Sequence, residues 1–306
     1  METIFKTEAL TKMYGTYAAV NNVSMTVNRG DIYGFVGANG AGKTTLIRML
    51  CGMAFPTAGR MELFGATNRT ALAENRRRLG VIVESPALMR DFTATDCLNW
   101  HKTVIGAPKA DVKKLLDLVG LGHTGQKKVK DFSLGMRQRL AIAQALTGDP
   151  EFLVFDEPAN GMDPQGIVEI RELLTKFNRE MGITILCSSH ILSELDKLAT
   201  KIGVIHKGRL LDERSRDELS ALYGEAYIIK TDKPDRAHTI FKDKGLDSGL
   251  RGSFVAVSNF TGKIYELITL LHNNGIEVDS FRREEASLET HYFKMTAAAE
   301  EGGLNA

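Results

Sequence analysis

At 306 residues the chain is long enough for about two domains, and with 43% hydrophobic and 25% charged residues it has the composition of a globular protein with a sizeable core. Its formal net charge of +1 excludes a strongly basic surface for nucleic acid, and no nucleic-acid partner is expected. Three widely spaced cysteines, Cys51, Cys97 and Cys187, form no C-x-x-C pair; they exclude a disulfide framework and read as small buried side chains in a reducing compartment.

The N-terminal stretch METIFKTEALTK lacks the apolar core of a signal peptide, and no run approaches the roughly 18 apolar residues that cross a bilayer. The expectation is a cytoplasmic chain whose membrane spans, if its process needs them, come from another polypeptide. The short basic clusters Arg76–Arg77–Arg78 and Lys127–Lys128 read as solvated faces.

Residues 3–8 and 20–27 carry β-branched residues in partial alternation and are expected to be short antiparallel strands. Tyr14 falls 23 residues before Gly37. An aromatic there could stack on a purine base; Tyr17 is a competing candidate, and spacing does not choose between them.

The apolar run Ile32 to Val36 reads as a buried strand, and the chain then turns through glycines into a helix-compatible run with Leu46, Ile47, Met49 and Leu50. Gly37, Gly42, Lys43 and Thr44 satisfy G-x-x-x-x-G-K-[ST] at every specified position. Residues without a Cβ let backbone N–H groups curl around phosphate oxygens, and a helix N-terminus adds partial positive charge. Asn39, Gly40 and Thr45 belong to the same cradle. Lys43 is expected on the outer phosphates and the Thr44 hydroxyl on Mg²⁺, so the chain is expected to bind a nucleoside triphosphate.

Residues 56–65 read as turn–strand–turn, Ala71 to Leu79 as a helix, and Leu79 to Val83 as an apolar strand ending at Glu84–Ser85–Pro86. Residues 94–148 are helical by pattern, with breaks at Gly106–Pro108 and around Gly120 to Gly125. A strand from Phe152 to Phe155 runs into Asp156–Glu157–Pro158, where Asp156 can reach Mg²⁺ and Glu157 can orient or deprotonate an attacking water. Pro164 to Met181 is a long amphipathic helix ended by Gly182, Ile183 to Cys187 a further strand before Ser188–Ser189–His190, and Ile202 to Leu211 a hairpin. Alternating helices and continuous apolar strands predict a parallel sheet covered on both faces, with Gly37, Glu84, Asp156 and Ser188 along its carboxyl edge. After about residue 214, strands at 226–231, 253–258 and 276–282 alternate with helices at 234–244, 261–273 and 286–295, followed by a frayed tail, AAAEEGGLNA.

Together these segments resemble the ATPase subunit of ABC transporters over residues 2 to about 212. GANGAGKT looks like its Walker A loop, FSLGMRQR its signature, FLVFDEP its Walker B, NGMD its D-loop, and His190 its switch histidine. The resemblance implies an α/β fold: an ABC-type P-loop ATPase at residues 1–213, with a RecA-like parallel sheet core, an antiparallel β subdomain and an α-helical subdomain at about 86–148. A small C-terminal α/β domain is expected at 214–306. The resemblance also favours Tyr14 as the adenine-stacking aromatic. It places Ser133 and Gly135 on ATP bound to a second copy, passes Asp163 between subunits, and makes His190 a γ-phosphate sensor. ATP binding would then close a homodimer, and hydrolysis would reopen it to drive transmembrane permease subunits from the inner face of the cell membrane.

Two departures stand out. Leu134 and Met136 replace Gly and Gln of the signature, while Ser133 and Gly135 remain. Glu84 stands where most members carry a Gln that touches Mg²⁺ and the attacking water. Glutamate there, with the SLGMRQRL wording and a late SLETHYFKMT pattern, resembles the bacitracin-resistance and lantibiotic-immunity exporters, which implies efflux of an antimicrobial peptide or antibiotic. Export of another drug or lipid, a soluble ABC ATPase acting on ribosomes or DNA, and a regulatory module without turnover are the alternatives.

Overall fold

The computed structural model describes residues 2–84, 88–223, 226–258, 260–284 and 288–301. Residues 85–87, at the expected strand end Glu84–Ser85–Pro86, and the last tail residues, 302–306, lie outside it. Two compact units emerge: residues 1–213 with 298–306, and residues 214–297.

The first unit opens with β1 (Thr3–Tyr14), β2 (Tyr17–Val23) and β3 (Thr26–Asn28), followed by β4 (Ile32–Val36), α1 (Lys43–Leu50), β5 (Ala58–Leu63), α2 (Arg69–Asn75), β6 (Leu79–Ile82), α3 (Ala94–Val104), α4 (Val112–Leu118) and α5 (Leu134–Leu146). It continues through β7 (Phe152–Asp156), α6 (Pro164–Met181), β8 (Thr184–Ser189), α7 (Leu192–Leu198), β9 (Lys201–His206) and β10 (Arg209–Ser215). The second unit holds α8 (Arg216–Tyr223), β11 (Ala226–Thr231), α9 (Pro234–Asp243), β12 (Asp247–Arg251), β13 (Phe254–Ser258), α10 (Ile264–Asn273) and β14 (Val278–Glu284), and α11 (Leu288–Glu301) begins in it.

The expected strand over 20–27 is two strands. Where they part, the Thr7 hydroxyl donates to Val23 O (2.9 Å) and accepts from Met25 N (3.0 Å), so a side chain of β1 takes the place of ladder bonds. β1 is longer than expected because β2, β3 and β5 all pair with it, antiparallel. The expected helix ending at Leu79 stops at Asn75, followed by a 3₁₀ turn over Arg76–Arg78, because Leu79 already pairs with Phe152 in the sheet. That turn also corrects the reading of Arg76 and Arg78 as part of a solvated face, while Arg77 is exposed as expected. Arg76 Nε donates to Leu50 O (2.7 Å), and the Arg78 guanidinium stacks 3.6 Å from the Phe64 ring centroid.

The main sheet runs β10-β9-β4-β8-β7-β6, with β9, β4, β8, β7 and β6 mutually parallel. β4 and β7 are buried at every residue, as strands covered on both faces must be. α5 approaches β6 so closely that a Cβ on Gly80 would lie 2.3 Å from Ala145 O; only glycine permits that contact. The core joins α1 to the antiparallel sheet through Phe5, Val27, Phe35, Leu46, Ile47 and Leu50.

The second unit's sheet runs β12-β13-β11-β14, antiparallel throughout, in a β-α-β-β-α-β order of the ferredoxin-like kind. Its core includes Ile229, Phe241, Val255, Val257, Leu267 and Leu271. β12, reading DSGLR, has no apolar alternation and shows no strand signal; it forms because β13 offers it an edge. The frayed-tail expectation is corrected at its start, since α11 continues through Ala297 to Glu301.

Candidate functional site

β4 delivers the chain into the glycine loop at the carboxyl edge of the sheet. Gly42 adopts φ 112°, and a Cβ there would meet Ala19 O at 2.5 Å, so no other residue fits this position without moving the backbone. It is also the N-cap of α1 and supplies no side-chain cap, which leaves the first-turn N–H groups open to an anion. The loop is pinned from outside by the β9–β10 turn, where Gly208 N donates to Ala41 O (2.9 Å) and Gly208 O accepts from Asn21 N (2.7 Å). Asn39 and Gly40 lie at the exposed crest of the loop, Gly40 with φ 78°, and Thr45 is half-buried on α1.

Lys43 is almost wholly buried. Its ammonium donates to Gly37 O (2.6 Å) and Ala38 O (3.3 Å) and lies 3.2 Å from Glu157 Oε1. A buried cation is tolerable because carbonyl dipoles and a carboxylate surround it.

Parallel pairing of β7 with β8 puts Asp156 level with Ser188. The Asp156 carboxylate is thereby fully engaged: Thr44 Oγ1 donates to Oδ2 and Ser188 Oγ to Oδ1, each at 2.6 Å. Ser188 Oγ also accepts from Glu157 N (2.9 Å), fixing the backbone where Glu157 takes a left-handed φ of 51°. A hydroxyl and a carboxylate in contact are hard oxygen donors that fit Mg²⁺, which usually takes one or two protein oxygens and completes its shell with phosphate and water. Among the described residues no group of three or more His, Cys, Asp or Glu forms a metal cage, as that mode of binding requires none.

Glu157 lies between Lys43 and His190. Its Oε2 is 2.7 Å from His190 Nδ1 and accepts from His190 N at 3.3 Å. Its Oε1, though ion-paired with Lys43, is buried with no hydrogen-bond partner. An acceptor oxygen with free lone pairs thus lies in the phosphate site.

Glu84 makes its ion pair with α1. It follows β6 at φ 62°, is exposed, and its carboxylate is ion-paired with the Arg48 guanidinium of α1. Thr44 and Arg48 are four residues apart on one helix, so Glu84 is bonded to the face of α1 that also carries Thr44.

Tyr14 and Tyr17 face each other across the β1–β2 hairpin, both exposed. The Lys12 ammonium lies 5.0 Å from the Tyr14 ring centroid, while Tyr17 lines a shallow cavity of about 260 Å³ with Asn21, His206 and Arg209. Ser133 caps α5, its Oγ accepting from Met136 N (3.2 Å). Gly135 lies under Met162, with 3.3 Å between the Met162 Cε and a Cβ placed there. Asp163 caps α6 through Gly166 N (2.8 Å). Among the described residues no hydrogen bond joins Ser133, Gly135 or Asp163 to the phosphate loop of the same chain. Phe92 and Trp100 are 38% and 47% exposed.

Two residues of consequence escaped the sequence reading. Ser188 was visible only as a strand end, and its register with Asp156 was the missing signal. Arg48 belongs to no motif, and its role comes only from the ion pair with Glu84.

The family model described as ABC transporter matches residues 20–160. The chain is 41% identical over 300 residues to the bacitracin transport ATP-binding protein of Bacillus licheniformis, spanning 96% of this chain and 98% of that protein. It is 41% identical over 214 residues to a lantibiotic transport ATP-binding protein of Streptococcus pyogenes, spanning 70% of this chain and 92% of the relative. Among solved structures it resembles cbiO1 from Clostridium perfringens, part of an ABC transporter complex, with TM-score 0.65 and 28% identity over 72% of this chain and 92% of that one.

Proposed function

The chain belongs to the ABC transporter family of ATP-hydrolysing subunits, and from that premise we propose that it powers export of an antimicrobial peptide or peptide antibiotic through separate membrane subunits. Its likeness to bacitracin and lantibiotic transport ATP-binding proteins supports the cargo class. No helix among the described residues is long and apolar enough to cross a membrane; the likeness to transport ATP-binding proteins supports partner permeases as the translocation path. The exposed Phe92 and Trp100 are apolar anchors for such a partner on the membrane's inner face.

The observation that carries the hydrolytic reading is Glu157 Oε1, a buried carboxylate oxygen without a hydrogen-bond partner, 3.2 Å from Lys43. A water bound at that oxygen would be oriented and deprotonated by Glu157, with His190 holding the other oxygen in place. Lys43, the Gly37–Thr45 loop and the open first turn of α1 bind the phosphates. Thr44 and Asp156 hold Mg²⁺, which supplies charge neutralisation on the phosphates when bound. Tyr14 stacks on adenine. Ser133, Gly135 and Asp163, which make no bond to their own loop, serve the ATP of a second copy in a two-fold homodimer.

Phosphate release by the purified chain, together with peptide resistance of cells expressing it beside its permease, tests this reading. ATP-dependent turnover and resistance to bacitracin-like or lantibiotic peptides, both abolished by Lys43→Ala, are expected. Turnover without any change in peptide resistance would sink the cargo assignment, and absence of turnover would sink the ATPase role.

A further inference from the structure

The ion pair between Arg48 and Glu84 does not belong to the hydrolytic site as described, yet it touches the residue in which this chain departs from the usual glutamine. We propose that Arg48 is a positioning residue that holds the Glu84 carboxylate away from the metal at Thr44 and Asp156, so that Mg²⁺-nucleotide and Arg48 compete for one acidic group. The inference rests on the reading that Thr44 and Asp156 hold Mg²⁺.

Three observations place the pair at that junction. β6 and β7 are parallel neighbours, with Ile82 level with Phe155, so Glu84 leaves its strand beside the strand end that carries Asp156. Thr44 and Arg48 share one face of α1, and Thr44 Oγ1 is bonded to Asp156 while Arg48 is bonded to Glu84. Glu84 holds φ 62°, a left-handed conformation that few non-glycine residues adopt.

Charge then decides what the pair does. A third carboxylate near a site that already holds Asp156 and Glu157 would add repulsion in the absence of a metal, and Arg48, one turn along α1 from Thr44, neutralises it. With Mg²⁺ and nucleotide bound, a hard dication becomes a rival cation for the same oxygens. The side chains are 41% and 59% exposed, so the pair is solvent-screened and weak enough to be released. A neutral glutamine at position 84 could accept a hydrogen bond from Arg48 but could not form the ion pair. The acid at 84 and the base at 48 therefore work as a matched set.

The test is a Mn²⁺ titration of the full-length chain with saturating ADP, bound metal being read by electron paramagnetic resonance, so that no turnover is required. Arg48→Ala is expected to tighten Mn²⁺ binding about two- to fivefold, the range an exposed ion pair spans. Arg48→Lys should stay close to wild type. In a Glu84→Gln background, Arg48→Ala should have no effect. Unchanged or weaker Mn²⁺ binding in Arg48→Ala, or an equal shift in the Glu84→Gln background, overturns the inference. A wild-type chain that binds no Mn²⁺ with ADP present overturns the metal-site reading itself. Normal wild-type binding with an unresponsive Arg48→Ala overturns only the role of Arg48.

Discussion

Ser188 Oγ donates a 2.6 Å hydrogen bond to Asp156 Oδ1 across two parallel strands, and the same oxygen accepts from Glu157 N. One buried hydroxyl thereby orients both the Asp156 carboxylate and the backbone of Glu157.

Ser188→Ala leaves a buried carboxylate oxygen and a backbone N–H without partners. Each such group costs about 1–3 kcal/mol, so a loss of at least 1 kcal/mol is expected by urea unfolding. Mg²⁺ should also be required at higher concentration for turnover, since Oδ1 is free to rotate away. Unchanged stability and an unchanged Mg²⁺ titration would show that the hydroxyl is dispensable.

The two tyrosines of the β1–β2 hairpin make separable predictions. Stacking on a base contributes about 1–3 kcal/mol, so Tyr14→Ala should raise the Kd for ATP roughly five- to hundredfold, with little change in kcat at saturation. Tyr17→Ala should leave that Kd within about twofold. Equilibrium binding of a fluorescent ATP analogue distinguishes them, and the reverse result would assign adenine to the Tyr17 cavity.

The thiols give a pH prediction. Burial pushes the Cys51 thiol up to about 12, and burial, followed by the nearby Glu157 and Asp156 carboxylates, raises Cys187 further. Burial also raises Cys97. All three are unpaired, so the native chain should resist iodoacetamide at pH 8 and react at three sites once unfolded. The sign for stability follows. The unfolded chain releases thiol protons as pH rises through the free-thiol range while the folded chain keeps them, so stability should fall with pH in that range. Fast labelling of native Cys187 would contradict its placement beneath the site.

Much of this arrangement was legible in the sequence because its elements are locally determined. The loop from Gly37 to Thr44 is dictated by glycine conformation, β4 and β7 by unbroken apolar runs, and α6 by its Asp163–Pro164 start and Gly182 stop. What was not legible depends on register and tertiary pairing. Ser188 acquires its role only because β8 aligns with β7 at Asp156, and the Arg48–Glu84 pair joins residues 36 apart that carry no shared motif. Arg76 and Arg78 looked like solvated charge until backbone carbonyls and an aromatic ring came within reach. β12 has no period of its own and exists because its neighbour has an open edge.

We propose that Glu157, through an Oε1 that has no hydrogen-bond partner beside its ion pair with Lys43, activates water against ATP bound by Lys43 and the glycine loop. The most direct test is single-turnover phosphate release by Glu157→Gln, with ATP affinity and dimer formation measured on the same preparation. A general base contributes about 10²–10⁴-fold, so release should slow by at least about 10²-fold while the Kd for ATP stays within about twofold and ATP accumulates in a stable dimer. Phosphate release at the wild-type rate would contradict the account.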